Sequence, residues 1–342
     1  MVGKKYMRNK KDFLSITDLN AQEIWQVLLL AKKLKQELKS KGKNESLLEN
    51  KQMVMLFEKP SLRTKLSFDI GFTQLGGHAV YFGPQEVGLG KRESVSDVAK
   101  VISSMADLIV ARVFSHEQLT ELVKSATIPV INALSNLEHP CQTLADFLTI
   151  LEVKGKLEGL TLAYAGDSEN NVPHSLALGC ALLGINFKCA SPYGFKMKKE
   201  IVKQAKKLAL KTNMQIFETA DPKIAVKNAD IVYTDTWISM GREIEQEKRL
   251  KIFKSYQVNQ GLMMLAKKDA IFMHDMPAYR GNEVTSEVID GPKSVIFEQA
   301  ENRLHVQKAL ILFLMSQNLD LGIDDLAKGT NNLPIIKNYL TS

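Results

Sequence analysis

The sequence predicts an α/β protein of two Rossmann-like domains, each a parallel sheet with helices on both faces. Helix-like and strand-like patterns alternate almost throughout, which is the signature of parallel strands joined by helical crossovers. The alternation runs as two series separated by a Lys/Glu/Gly stretch, Glu152 to Gly159. At 342 residues the chain exceeds one ordinary core and implies about two domains. The boundaries are read as 1–150 and 151–300, with a final helix in 301–342 that packs back on the first domain.

Taken in order, Asp18 to Lys41 is an amphipathic helix with Ala21, Ile24, Val27, Leu28, Ala31 and Leu34 on one side. Met53 to Phe57 is an apolar strand, followed by a helix opening after Ser61. His78 to Phe82 is the next strand, and Gly83 to Arg92 a loop. Glu93 to Ala106 is helical, with Val98, Val101, Ile102 and Met105 at helical spacing. Leu108 to Ala111 is a buried strand that delivers Arg112 at its carboxyl end. Pro129 to Ala133 precedes a helix that begins near His139. In the second series, strands are expected at Thr161 to Ala165, Asn186 to Ala190, Met214 to Glu218, Ile231 to Thr234 and Ala270 to His274. The last strong helix runs from Glu301 to Leu314.

Composition excludes several classes. A hydrophobic fraction of 45% and a charged fraction of 24% are those of a globular protein. No apolar run approaches the roughly 20 residues that span a bilayer, so no membrane partner is expected. The net charge of +7 raises a nucleic-acid reading. Much of that excess lies in Lys196 to Lys211, where Ile201, Val202, Ala205, Leu208 and Ala209 form the other side of a helix. That is a solvated helix face, and basic and aromatic residues do not interleave as a single-strand groove requires, so no nucleic acid is expected. Cys141, Cys180 and Cys189 are odd in number and lack zinc-site spacing. They fit a reducing cytoplasm and offer no zinc-site pattern.

Ligands of open parallel sheets bind at the carboxyl ends of the strands. Each polar candidate falls at such an end. Glu58 to Lys65 follows a strand and opens a helix with Ser61, Arg63 and Thr64. Unpaired N–H groups, the helix dipole, two hydroxyls and a guanidinium there suit phosphate oxygens. The same residues also read as an ordinary capped helix with a solvated Arg. His139 and Gln142 share a helix face and can donate to a carbonyl and accept from an amine. Asp235 and Ser239, four apart in a loop ending at Gly241, suit an ammonium group, or simply cap a turn. Gly166 to Asn171 has one glycine, not the three of a dinucleotide turn, which argues against an oxidoreductase.

The motifs Lys59-Pro60-Ser61-Leu62-Arg63-Thr64, His139-Pro140-Cys141-Gln142, Asp235-Thr236-Trp237-Ile238-Ser239-Met240-Gly241 and Ala300-Glu301-Asn302-Arg303 resemble those of the aspartate/ornithine carbamoyltransferase family, on its ornithine side. The resemblance runs from about Phe13 to Leu314. It implies that Ser61, Leu62, Arg63 and Thr64 bind the phosphate of carbamoyl phosphate, and that Arg112 bridges phosphate and carbonyl oxygen. It implies that His139 donates to that carbonyl, Gln142 holds the carbamoyl amide and Arg303 reaches the carbamoyl group. Asn171, Asp235, Ser239 and Met240 would hold the α-amino and α-carboxylate groups of L-ornithine. The implied assembly is a homotrimer or a higher assembly of trimers, with active sites at subunit contacts.

Three positions depart from the family pattern. His274-Asp275-Met276-Pro277 stands where the ornithine enzymes usually carry His-Cys-Leu-Pro. Asp275 adds a negative charge near the reacting amine, favouring its ammonium form or serving as its base. Gly88 occupies a loop position where many relatives have Gln, and Lys65 follows Thr64 where Arg is usual. Ornithine remains the expected acceptor, with Asp275 counted among the catalytic residues. A different acceptor amine and a non-catalytic ligand-binding paralogue are the alternatives.

Overall fold

The computed structural model describes residues 10–90, 92–238 and 245–315. The chain divides into two compact units, one of residues up to Cys141 and from Arg303 onward, the other Gln142–Asn302.

In the first unit, a 3-10 turn at Ile16–Asp18 leads into α1 (Ala21–Lys41), whose Asn20 N-cap and Glu23 form a reciprocal capping box. Then come β1 (Gln52–Phe57), α2 (Leu62–Gln74), β2 (His78–Phe82), α3 (Pro84–Val87), α4 (Val95–Met105), β3 (Leu108–Arg112), α5 (His116–Ser125) and β4 (Val130–Leu134). The strands form a parallel sheet in the order β2-β1-β3-β4. Val54, Leu56, Ile109, Ala111 and Val130 meet Val95 and Ala99 of α4 and Leu119 and Leu122 of α5 in one apolar cluster.

The second unit takes up α6 (Pro140–Lys154) from Gln142. It continues through β5 (Thr161–Ala165), α7 (Asn171–Leu183), β6 (Asn186–Ala190), α8 (Lys199–Thr212), β7 (Ile216–Thr219), α9 (Pro222–Val226) and β8 (Ile231–Thr234). After α10 (Gln246–Phe253), α11 (Gln260–Met263), β9 (Ile271–His274) and α12 (Ser286–Ile289), α13 (Ile296–Met315) returns the chain to the first unit. The sheet is parallel, in the order β7-β6-β5-β8-β9. The lysine-rich α8 buries Ile201, Ala205 and Ala209, which leaves its lysines on the outer side as the pattern implies.

In the first unit, two elements differ from the sequence expectation. α5 was not anticipated, because Leu119 and Leu122 are its only fully buried side chains among the described residues. The expected loop from Gly83 to Arg92 contains the short α3, with Pro84 at its start and Gly88 ending it at φ 46°. That left-handed conformation suits glycine and strains other residues.

In each sheet the strand order reverses once, and a crevice opens there at the carboxyl ends. In the first unit it lies between β1 and β3, whose ends carry Ser61–Thr64 and Arg112. In the second it lies between β5 and β8, whose ends carry Gly166–Asn171 and Asp235.

Candidate active site

In the first unit, Ser61 is the N-cap of α2 and makes no side-chain capping bond among the described residues. The first-turn N–H groups of α2 have no intrahelical acceptor, and the helix starts after the carboxyl end of β1, a strand of the β1/β3 switch point. Phe57 pairs with Arg112 in the parallel ladder, and Glu58 N–H donates to Arg112 O at 2.8 Å. This register sets the Arg112 side chain beside the turn. Arg303, near the middle of α13, donates from Nη2 to Thr64 Oγ1 at 2.7 Å. Arg112, Arg303, Thr64 and His139 are all buried.

His139 is held well below the usual imidazole range, first by burial and then by the charges of Arg303, Arg112 and Arg63. It is therefore a neutral imidazole at physiological pH, able to donate one N–H without carrying charge. The same four side chains predicted for phosphate and carbonyl thus share one electrostatic environment. Lys59 lies over the Phe114 ring at 4.4 Å and is lowered in pKa, first by burial and then by Arg112. Lys65, at the position where Arg was the family expectation, sits 3.7 Å over the Tyr81 ring. It is committed to a cation–π contact that a compact ammonium makes easily.

In the second unit, Asn171 opens α7 and Asn170 caps it, accepting from Val172 N–H at 2.7 Å. Asn170 Nδ2 also donates to Asp235 Oδ2 at 2.5 Å, across the β5/β8 crevice. Thr236 N–H donates to Asp235 Oδ1 at 2.6 Å. Asp235 is thereby aimed by two donors. Asn170 was missed in favour of its neighbour; the capping position before an apolar helix was the available signal. Arg249 was missed entirely. It is buried, pairs with Asp167, donates from Nε to Trp237 O at 2.5 Å and lies over Phe195 and Phe253 at 5.0 and 5.2 Å. It ties the turn after β5 to the turn after β8. Ser239 and Met240 lie outside the described residues.

Asp275 follows β9. His274 Nδ1 accepts from Met276 N–H at 2.9 Å, and its Nε2 faces Glu283 Oε1 at 3.2 Å. The proton therefore sits on Nε2, and the imidazole braces a turn in which Met276 takes φ 62°. Asp235, His274 and Asp275 offer donor atoms within 4.8 Å of one another, as a cation site would. Both His274 nitrogens are already engaged, so the imidazole offers no lone pair to a metal. Two carboxylates remain, an arrangement suited to an amine. Their field reaches the buried Tyr164 and Tyr233, whose hydroxyls are pushed well above the usual range, mainly by burial.

Two family models match the chain, one after the other. Residues 11–152 match the aspartate/ornithine carbamoyltransferase carbamoyl-P binding domain, and residues 158–314 the Asp/Orn binding domain. The chain belongs to the aspartate/ornithine carbamoyltransferase family. It is 51% identical over 306 residues to the ornithine carbamoyltransferase of Methanosarcina acetivorans, covering 90% of this chain and 99% of that one. It is 48% identical to the Bacillus subtilis ornithine carbamoyltransferase over 88% of this chain and 92% of the relative. The solved ornithine carbamoyltransferase of Pyrococcus furiosus superposes with a TM-score of 0.87 at 45% identity, over 90% of this chain and 98% of that one. The family assignment from four sequence motifs and the α/β fold of two parallel sheets both hold.

Proposed function

We propose that the protein transfers the carbamoyl group of carbamoyl phosphate to the δ-amine of L-ornithine, giving L-citrulline and phosphate. The observation that carries this is the cradle at the β1/β3 crevice: a helix N-terminus, Thr64 and Arg303 in contact, and a buried neutral His139 under the influence of three arginines. Such a cradle fits an acyl phosphate, whose phosphate needs cations and whose carbonyl needs an uncharged donor. The names of the relatives support ornithine as the acceptor.

In this reading Ser61, Leu62, Arg63 and Thr64 hold the phosphate, Arg112 bridges it to the carbonyl oxygen, and His139 donates to that oxygen. Gln142 takes the carbamoyl amide and Arg303 reaches the carbamoyl group. Asp235, oriented by Asn170, receives the α-ammonium, with Asn171, Ser239 and Met240 completing the amino-acid site. The δ-amine attacks the carbamoyl carbon, and the carbonyl electrons move onto oxygen, where His139 and the arginines stabilise them. Collapse of this intermediate breaks the C–O bond to phosphate. Asp275 accepts the proton that the amine must lose. The carbamoyl phosphate-binding domain is assigned as 1–150 together with the segment from 301 onward, whose residues after 315 lie outside the described ones, and the ornithine-binding domain as 151–300. No metal or organic cofactor takes part in this scheme. The assembly is a homotrimer or a set of trimers. The buried thiols Cys141, Cys180 and Cys189 suit a cytoplasmic enzyme.

A second reading, a different acceptor amine, is favoured by Asp275 alone. One assay separates the two: purified protein with carbamoyl phosphate and a panel of ornithine, putrescine and acylated ornithines. Citrulline formation with ornithine as the best acceptor is expected. Faster turnover of another amine would replace ornithine, and carbamoyl phosphate binding without turnover of any amine would reveal a non-catalytic paralogue.

A further inference from the structure

A set of buried hydrogen bonds in the second unit joins Gln142 to the turn that carries Asp275. Gln142 Nε2 donates to Asp146 Oδ1 at 2.8 Å. Gln299 Nε2 donates to the same oxygen at 2.7 Å and to the Tyr233 hydroxyl at 3.0 Å. The Tyr233 hydroxyl donates to Asp146 Oδ2 at 3.3 Å. Gln299 Oε1 accepts the backbone N–H of His274 at 2.9 Å. Gln142, Asp146, Tyr233, His274 and Gln299 are all buried.

The chemistry fixes every orientation in this set. A backbone N–H can only donate, so Gln299 must turn Oε1 to His274 and its NH2 group to Asp146. Asp146 accepts from Gln142, Gln299 and Tyr233, so Gln142 also turns its NH2 group inward. Its carbonyl oxygen then points away from Asp146. Gln299 has no substitute here. A Glu would set a second carboxylate against Asp146, and an apolar residue would leave both Asp146 and the His274 N–H short of a bond.

We propose that Gln299 is a positioning residue that couples the two substrate-facing groups. Through Asp146 it sets which end of the Gln142 amide meets the carbamoyl group, and through His274 N–H it holds the backbone from which Asp275 projects. This rests on the function proposed above.

The test is a double-mutant cycle on the full-length protein with Gln299→Glu, Gln142→Ala and the pair, reading kcat/KM for carbamoyl phosphate. Residues in one hydrogen-bond network are expected to be non-additive, so Gln299→Glu should cost about tenfold in the wild-type background and little in the Gln142→Ala background. The Gln299→Glu loss should also be relieved toward acid pH, where a protonated Glu again donates to Asp146. Equal fold-losses in both backgrounds, with no relief at acid pH, would overturn the proposal while leaving the function intact. A wild-type protein inactive toward every acceptor would overturn the function and this inference with it. Should Gln299→Glu fail to fold, Asp146→Asn makes the same cycle, since an amide there no longer dictates the Gln142 orientation.

Discussion

At the residue scale, the chemistry turns on protonation states that burial imposes. His139 has a folded pKa well below its ordinary value, so the folded protein refuses a proton that the unfolded chain takes up below about pH 6.5. Above that pH both states are neutral and His139 is without effect. As pH falls from about 6.5 toward the folded pKa, stability is lost. His139→Ala should therefore flatten the acid-side fall in unfolding free energy, measured by denaturant titration at several pH values. The same variant removes the proposed donor to the carbonyl oxygen and should lower kcat by about 10²–10³-fold. Asp275 makes a sharper prediction. Asp275→Asn keeps the shape but cannot take a proton, and should lower kcat by about 10²-fold while leaving KM for carbamoyl phosphate near the wild-type value. If Asp275→Cys turned over faster than the wild type, the carboxylate would be a hindrance and not the base.

At the element scale, α2 and α13 bring the phosphate turn and Arg303 together. Gly71 of α2 makes room: a Cβ there would stand 3.1 Å from Lys308 Cγ and 3.4 Å from Leu304 Cδ1, both on α13. Lys308 Nζ donates to Asn44 Oδ1 at 2.6 Å and to Gln74 Oε1 at 2.8 Å. Gly71→Val should force the helices apart, with an overpacking cost of about 1–3 kcal/mol and a raised KM for carbamoyl phosphate as Arg303 leaves Thr64. Burial lowers the Lys308 pKa to about 8, against a smaller raising effect of Glu37. Between about pH 8 and 10.5 the unfolded chain holds a proton that the folded one has lost, so wild type should gain stability relative to Lys308→Met across that window. None of this pairing was legible in the sequence, where Gly71 is an unremarked glycine inside a helix and Lys308 one of many lysines. What was legible followed from local pattern: Thr161–Ala165, Asn186–Ala190 and Ile231–Thr234 are short, largely apolar runs and fall where expected. α13 begins at Ile296, five residues before the expected Glu301, because its opening turns mix apolar and polar residues. The polar turns were legible as candidates, but which Asn holds Asp235, and that Arg249 ties two of them, depends on contacts between residues distant in sequence.

At the scale of the whole molecule, the first unit leaves apolar side chains in water. Leu62, Leu66 and Ile70 recur every four residues along α2 and are exposed, Leu62 by 69%. Val80 and Phe82 are exposed on β2, the edge strand of its sheet, and Val101 and Met105 on α4. Scattered exposed Leu or Val needs no explanation, but a helical stripe beside an apolar edge strand marks a surface built to be covered. The stripe begins at Leu62, within the phosphate turn, so covering it also shields the turn from bulk water. The proposed trimer would cover the stripe and shield the turn. Light scattering on the purified protein should give about three times the 38.3 kDa chain mass, or a multiple of that. Leu66→Glu combined with Ile70→Glu puts two charges on the stripe without touching Ser61, Arg63, Thr64 or the buried face of α2 at Phe68 and Phe72. That variant should run as the single chain with its fold intact by circular dichroism, and should lose affinity for carbamoyl phosphate. A double variant that stays trimeric would place the subunit contact on another face, and a monomer with unchanged kcat/KM would separate assembly from catalysis.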